Sequence, residues 1–136
     1  MADFVMQIPL RWNDFDSLAH VNNVRYLEFL QDGRVALFTG MGLSRDYLQT
    51  IGHFVARSEI DYLIPISMNE SEIKLVIWVQ KVGGASYNLG YEIINAANEI
   101  CARAMTVMVT VELASNTVTR IPDDIRNKLE ELVRPV

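Results

Sequence analysis

The sequence predicts an α+β domain in which a curved antiparallel sheet wraps around one long helix. Residues 22–41 are apolar over most of a helical circumference, which is typical of a buried helix. Four later segments alternate between two faces with period two and exceed the usual strand length of about five or six residues. Gly83-Gly84 separates two of them and indicates a hairpin. Because the long helix and the later strands occupy separate parts of the chain, we expect the α+β class.

The first elements are a strand over residues 4–12 and the helix over residues 22–41. The strand alternates apolar and polar residues from Phe4 onward and runs into a polar turn. The helix carries recognisable boundary residues at both ends: Asn22 and Asn23 at its start, Gly40 and Gly42 at its stop.

The remaining elements are four strands and a short terminal helix. We expect the strands to form an antiparallel meander over residues 54–64, 73–80, 87–93 and 104–113. Pro122, followed by two aspartates and then spaced apolar residues, predicts an amphipathic helix that begins at that proline.

Length and composition indicate one globular domain over residues 1–136. The chain has a mass of 15.5 kDa, and half of its residues are hydrophobic while 21% are charged. No repeat or shift in composition divides it. The formal net charge of −5 argues against binding to nucleic acid or to an anionic membrane.

The sequence also predicts a cytoplasmic location. No apolar run reaches the roughly 18 residues that a membrane span needs, and the first residues do not resemble a signal peptide. Cys101 is the only cysteine, so no internal disulfide can form. One cysteine and two histidines also make a structural zinc site unexpected.

Residues 12–26 contain the side chains that could take part in catalysis. Two aspartates, a histidine and two asparagines lie in the turn before the helix, with Asp16 four residues before His20. The first N–H groups of a helix have no internal partner and can hold an anion or a developing oxyanion. A structural interpretation stays open, in which Asp14 and Asp16 are turn residues and His20 is a hydrogen-bonded structural histidine.

Residues 11–34 resemble the signature of the hotdog-fold acyl-CoA thioesterases, especially the 4-hydroxybenzoyl-CoA thioesterase-like group. The pattern is an aspartate (Asp16), three residues, His-Val-Asn-Asn and a tyrosine three positions on (Tyr26). The resemblance continues through residues 59–65, 83–87 and 120–125 and covers nearly the whole chain. Ala19 stands where many relatives have glycine, which raises a question about the conformation of this turn.

The resemblance implies a fold, an assembly and a thioester hydrolysis. The helix would lie inside the curved sheet, and two subunits would pair their sheets with active sites at the interface, as a homodimer or a dimer of dimers. Asp16 would attack the thioester carbonyl or activate a water, and the residues alone do not decide between these roles. The N–H near Asn23 would polarise the carbonyl, His20 would orient the thioester or the carboxylate or hold water, and Tyr26 would shape the pocket. No metal or redox cofactor is implied, since coenzyme A enters as part of the substrate and product.

The phosphates of coenzyme A would need a local basic group on this acidic chain. Arg57, Lys81 and the turn amides near Ser86 are the candidates, although exposed basic residues on strands are often only solubilising. Glu59 and Asp61 share a face with Arg57, which indicates a solvated or subunit-contact surface.

Three further residues have structural expectations. Cys101 lies among apolar neighbours and is expected to pack rather than to react. His53 has no visible partner and is expected at the surface. Arg34 lies among apolar helix residues and needs an acidic partner, a subunit contact or an exit to solvent.

Other functions compatible with the residues are a thioesterase acting on acyl carrier protein and a non-catalytic module that binds an acyl ligand. The first would need a docking surface for the carrier protein, and no basic one is evident. The second would not need a carboxylate at an oxyanion site. A dehydratase would carry its aspartate and histidine in a different motif.

Overall fold

The computed structural model describes residues 3–134, which form one sheet and three α-helices. In chain order these are β1 (Phe4–Pro9), a 3-10 helix (Trp12–Asp14), α1 (Asn23–Gly40), α2 (Arg45–Thr50), β2 (Ile51–Tyr62), β3 (Glu72–Val82), β4 (Ser86–Ile94), β5 (Ile100–Glu112), β6 (Thr117–Val118) and α3 (Asp123–Glu130). Within these residues no helix is both long and apolar enough to cross a membrane.

The sheet is antiparallel with the strand order β1-β3-β4-β5-β2, and β6 adds a short pairing to β5. The predicted four-stranded meander is therefore wrong for one strand. β3, β4 and β5 follow one another as hairpins, but β2 lies at the far edge and pairs with β5. Periodicity marks β2 as a strand but contains no information about its neighbour. The curved sheet and the central helix confirm the predicted hotdog architecture.

Helix α1 has the predicted bounds. The Asn22 side chain accepts a hydrogen bond from the Val24 backbone N–H at 2.9 Å, which caps the first turn. At the other end Gly42 has a φ of +78°, the left-handed conformation that commonly follows a helix. The terminal helix α3 begins one residue later than expected, because Pro122 is its N-cap.

The core lies between α1 and the concave face of the sheet. The buried face of α1 comprises Tyr26, Phe29, Leu30, Gly33 and Leu37. Gly33 allows the closest approach, because a Cβ atom there would collide with Leu75 and Ile77 of β3. The helix is not buried all round, however, since Val24, Leu27 and Val35 are exposed on its opposite face.

Helix α2 was not predicted. Its six residues bury no side chain fully, and only the Ser44 hydroxyl, which accepts the Tyr47 backbone N–H at 3.0 Å, marks its start. A helix this short has too few residues to show a periodic pattern. Its Tyr47 hydroxyl nevertheless contacts His53, which lines the cleft described below.

Candidate active site

The residues before α1 form a tight loop that holds Asp16 beside His20. Phe15 and Val21 form an isolated antiparallel bridge across its base. The Asp16 N–H donates to the His20 carbonyl at 3.0 Å, and the Ala19 N–H donates to the Asp16 carbonyl at 3.0 Å. Asp16 and His20, two of the three residues predicted to be catalytic, therefore lie on adjoining backbone before α1.

Ala19 closes this loop in a strained conformation. Its φ is +60°, in the left-handed region that favours glycine. The Ala19 carbonyl accepts the Met68 N–H at 3.1 Å, which fixes the turn against the loop between β2 and β3. Alanine thus adopts the conformation that glycine would take, and the hydrogen bonds of the loop are formed.

Asp14 has a structural role, as its predicted place in the turn indicated. Its side chain is 1% exposed, and its carboxylate accepts the Arg11 backbone N–H at 2.7 Å. The Arg25 Nε lies 3.9 Å from the Asp14 Oδ1. The Asp14 carbonyl also accepts the Asn22 N–H at 2.9 Å, so this buried aspartate joins the 3-10 helix to the start of α1.

Asp16 differs, because it is half-buried rather than buried. Its Oδ1 accepts the Leu18 N–H at 2.9 Å, and Asn22 Nδ2 lies 3.5 Å from its Oδ2. Asn22 therefore both caps α1 and orients the carboxylate. Sequence reasoning gave Asn22 only the capping role, because its contact with a residue six positions earlier depends on how the loop folds.

The first residue of α1, Asn23, differs from its neighbours in the hydrogen bonding of its backbone N–H. The flanking amides are occupied: the Asn22 N–H donates to Asp14, and the N–H groups of Val24 and Arg25 donate to Asn22. The Asn23 N–H has no hydrogen-bond partner within residues 3–134. It lies at the positive end of the helix dipole, where a developing negative charge is stabilised.

A cavity of about 200 Å³ adjoins this helix start. Its lining includes Asn23 and Tyr26 of α1 and Tyr62 at the end of β2. The rings of Tyr26 and Tyr62 meet edge to face with centroids 4.9 Å apart. Burial raises the pKa of Tyr26 to about 12, so its hydroxyl stays protonated at neutral pH and can donate but not act as a base.

A larger cleft of about 510 Å³ lies at the other end of the boundary between α1 and β2. We call this boundary the α1–β2 groove. The cleft is lined by Gln31, Arg34, Val35 and Phe38 of α1 and by His53, Phe54 and Val55 of β2.

His53 is not the unpartnered surface residue that the sequence predicted. Its Nε2 lies 2.9 Å from the Tyr47 hydroxyl and its Nδ1 lies 2.7 Å from the Tyr87 hydroxyl. Burial lowers the pKa of His53 to about 4, so the imidazole is neutral at pH 7. These partners were missed because Tyr47 lies on α2, a helix that the sequence did not predict, and Tyr87 lies on β4, 34 residues away in sequence.

A sequence profile described as the thioesterase-like superfamily matches residues 10–129. The chain belongs to this superfamily. It is therefore a thioester hydrolase by family.

One relative is itself named a thioesterase, and two solved structures share the fold. This chain is 27% identical over 133 residues to the long-chain acyl-CoA thioesterase FadM of Escherichia coli, and the match covers 94% of this chain and 98% of FadM. The PA5185 protein of Pseudomonas aeruginosa is 26% identical with a TM-score of 0.89, covering 99% of this chain and 94% of that one. The SAV2348 protein of Staphylococcus aureus, solved in complex with CoA, shares the fold with a TM-score of 0.89 at 11% identity, over 98% of this chain and 87% of that one.

Within one chain, the residues that the sequence predicts to bind coenzyme A do not lie next to Asp16. Arg57 is exposed on β2 and forms an ion pair with Glu59. Lys81 and Ser86 flank the β3–β4 hairpin, whereas the loop tied to Ala19 precedes β3. Lys81 is nine positions after Glu72 on β3, or about 30 Å along the strand.

The structure also shows the surroundings of Cys101 and Arg34, which the sequence analysis singled out. Cys101 is buried in the core, as predicted. Arg34 Nη1 donates to the Tyr91 hydroxyl at 3.2 Å rather than to a carboxylate. Among residues 3–134, no group of three or more His, Cys, Asp or Glu side chains is arranged to hold a metal ion.

Proposed function

We propose that this protein hydrolyses acyl-CoA thioesters to a free acid and coenzyme A, with Asp16 as the reacting carboxylate. The observation that carries the proposal is that one short loop holds both a half-buried, oriented Asp16 carboxylate and the Asn23 N–H at the start of α1, which has no partner within residues 3–134. Thioester hydrolysis needs these two elements, a nucleophile or base and a donor for the oxyanion. The similarity to FadM supports acyl-CoA as the substrate class.

Both chemical routes available to Asp16 use the same geometry. In one, the carboxylate attacks the carbonyl carbon, expels the CoA thiolate and leaves an acyl anhydride that water then hydrolyses. In the other, the carboxylate takes a proton from a water that attacks the carbonyl directly. The Asn23 N–H would donate to the carbonyl oxygen as it gains charge in either case.

Two neighbouring side chains would complete the site. The His20 side chain makes no hydrogen bond to other groups within residues 3–134, so it is available to orient the thioester or a water. Tyr26 lines the cavity beside Asn23 and would shape the entrance for the acyl group. We assign the acyl group to the α1–β2 groove, because the cavity beside Asn23 and the cleft beside Arg34 both lie along this boundary.

A second copy of the chain would cover this groove. β2 is an edge strand of twelve residues, and Phe54 and Val55 on it are exposed. An edge strand this long is a template for pairing with another strand. A homodimer joined through β2 would also supply Arg57, Lys81 or Ser86 from the partner copy to bind the CoA phosphates.

The proposal is tested by measuring thiol release from acyl-CoA thioesters from acetyl to palmitoyl, with benzoyl and phenylacetyl thioesters included. The same acyl groups are offered on acyl carrier protein. We expect turnover of at least one CoA thioester and weaker turnover of its carrier-protein counterpart. Turnover of the carrier-protein thioesters alone would replace the CoA assignment, and binding without turnover of either would indicate an acyl-binding module.

A further inference from the structure

We propose that Arg34 recognises a carboxylate at the far end of the substrate's acyl group, so that the preferred substrates are CoA half-thioesters of dicarboxylic acids. The inference rests on the proposed function, because it takes the α1–β2 groove as the acyl site. Arg34 takes no part in the proposed hydrolysis itself.

The first argument is that no carboxylate within residues 3–134 neutralises the Arg34 charge. Its Nη1 donates to the Tyr91 hydroxyl at 3.2 Å, and that hydroxyl is 2.7 Å from Thr106 Oγ1. Within residues 3–134 no carboxylate lies within ion-pairing distance of Arg34. A hydroxyl partner orients the guanidinium but leaves its positive charge unbalanced, and its planar donor fork matches a carboxylate.

The second argument is that Arg34 is the cation of the cleft. The other polar side chains lining it are Gln31 and His53. His53 is neutral at pH 7, with one ring nitrogen beside each of two tyrosine hydroxyls. The surrounding wall is apolar, formed by Val35, Phe38 and Val55 among others, so an anion there would meet one positive charge beside apolar side chains.

The third argument is one of reach. Arg34 lies eleven residues after Asn23 on α1, which corresponds to about 16 Å along the helix. An extended chain advances roughly 1.2 Å per bond, from about 3.6 Å for the three bonds of one residue. An acyl chain of roughly ten to thirteen atoms would therefore extend from the Asn23 N–H to the Arg34 guanidinium.

A plain alkyl chain of that length would fit less well. Its terminal methyl group would displace water from the guanidinium without offering an acceptor, and removing a charged group from water without a partner is costly. A terminal carboxylate would replace that water with a charge-assisted hydrogen bond. The groove thus discriminates by the chemistry of the chain end as well as by length.

Binding of non-hydrolysable thioethers tests this assignment independently of catalysis. We would compare S-(11-carboxyundecyl)-CoA with S-dodecyl-CoA by calorimetry, together with chains of roughly eight to sixteen carbons. We expect the wild type to bind the carboxylated probe at least about tenfold more tightly. Arg34→Met should abolish this preference, and Arg34→Lys should retain part of it.

The control is Arg120→Met, which removes a positive charge from an arginine that is 67% exposed and should keep the full preference. Equal affinity of the wild type for both probes would overturn the proposal. So would an Arg34→Met variant that binds both probes normally but no longer self-associates, because Arg34 would then be an interface residue. If the preference is present but no acyl-CoA is cleaved, the binding assignment stands and the proposed hydrolysis fails.

Discussion

Asp14 and Asp16 lie two residues apart on one loop, and their surroundings assign them different roles. Asp14 is 1% exposed and its carboxylate is occupied by the Arg11 N–H. Asp16 is half-buried and accepts one short hydrogen bond, from Leu18. A carboxylate that must meet a substrate needs access, so the partly open position of Asp16 suits the reaction and the buried position of Asp14 suits the fold.

His53 predicts a specific loss of stability in acid. Its pKa is about 4 in the folded protein and about 6.5 when unfolded. Below pH 6.5 the unfolded chain therefore takes up a proton that the folded protein does not. This destabilises the fold progressively down to about pH 4, by about 3 kcal/mol in total.

The measurement compares urea unfolding of the wild type and His53→Gln between pH 7 and pH 4. Glutamine does not titrate, so carboxylate effects common to both proteins cancel in the difference. We expect the wild type to lose about 3 kcal/mol more than the variant over this interval. Parallel losses in the two proteins would show that His53 is not held neutral by the fold.

At the level of elements, the packing of α1 on β3 predicts opposite effects for two glycines of the same helix. Gly33→Ala places a methyl group against Leu75 and Ile77, and overpacking of this kind costs about 1–3 kcal/mol. At Gly40 a Cβ would meet only the Phe4 ring at 3.8 Å, so Gly40→Ala should gain up to about 1 kcal/mol from helix propensity.

Thermal and urea unfolding of both variants measure these changes in stability. A Gly33→Ala protein as stable as Gly40→Ala would mean that the helix does not approach the sheet as closely as the structure shows.

Periodicity measures only the local pattern of apolar and polar residues. This decides which elements could be predicted from the sequence. The bounds of α1 were predictable because Asn22 and Gly42 mark them chemically. Strands β3, β4 and β5 were predictable because each alternates over many residues and two are joined by a glycine hairpin. The position of β2 beside β5 was not, since a pairing partner across the sheet leaves no local signal.

The same distinction holds for the candidate site. Asp16, His20 and Asn23 come from one continuous segment, so their proximity follows from the chain itself. The His53–Tyr87 contact and the Arg34–Tyr91–Thr106 contacts join separate strands or a helix and a strand, and the Tyr47–His53 contact depends on the unpredicted helix α2. They depend on the tertiary fold and were missed, and the spatial separation of Lys81 and Ser86 from Asp16 was missed for the same reason.

At the level of the whole molecule, the exposed apolar face of α1 predicts a subunit interface. Val35 is 61% exposed in the single chain, so a charged residue there should not disturb an isolated subunit. If a second copy covers this face, Val35→Glu would bury a charge without a partner and weaken the assembly.

Analytical ultracentrifugation is the measurement, with Val118→Glu as the matched control, since Val118 is 65% exposed on β6. We expect the wild type and Val118→Glu to sediment as dimers or larger assemblies, and Val35→Glu to shift toward monomer with a parallel loss of activity. A monomeric wild type would contradict the proposed assembly.

The central claim is that the Asp16 carboxylate performs the hydrolysis. Its most direct test is the rate of thiol release by Asp16→Asn on the best acyl-CoA substrate of the wild type. Asparagine keeps an oxygen that can accept the Leu18 N–H, so the loop should fold and the assembly should persist. Asp32→Asn, at an exposed position of α1, provides the matched loss of one negative charge. We predict a fall of at least about a hundredfold in kcat for Asp16→Asn and wild-type rates for Asp32→Asn, whereas an undiminished kcat in Asp16→Asn would contradict the assigned mechanism.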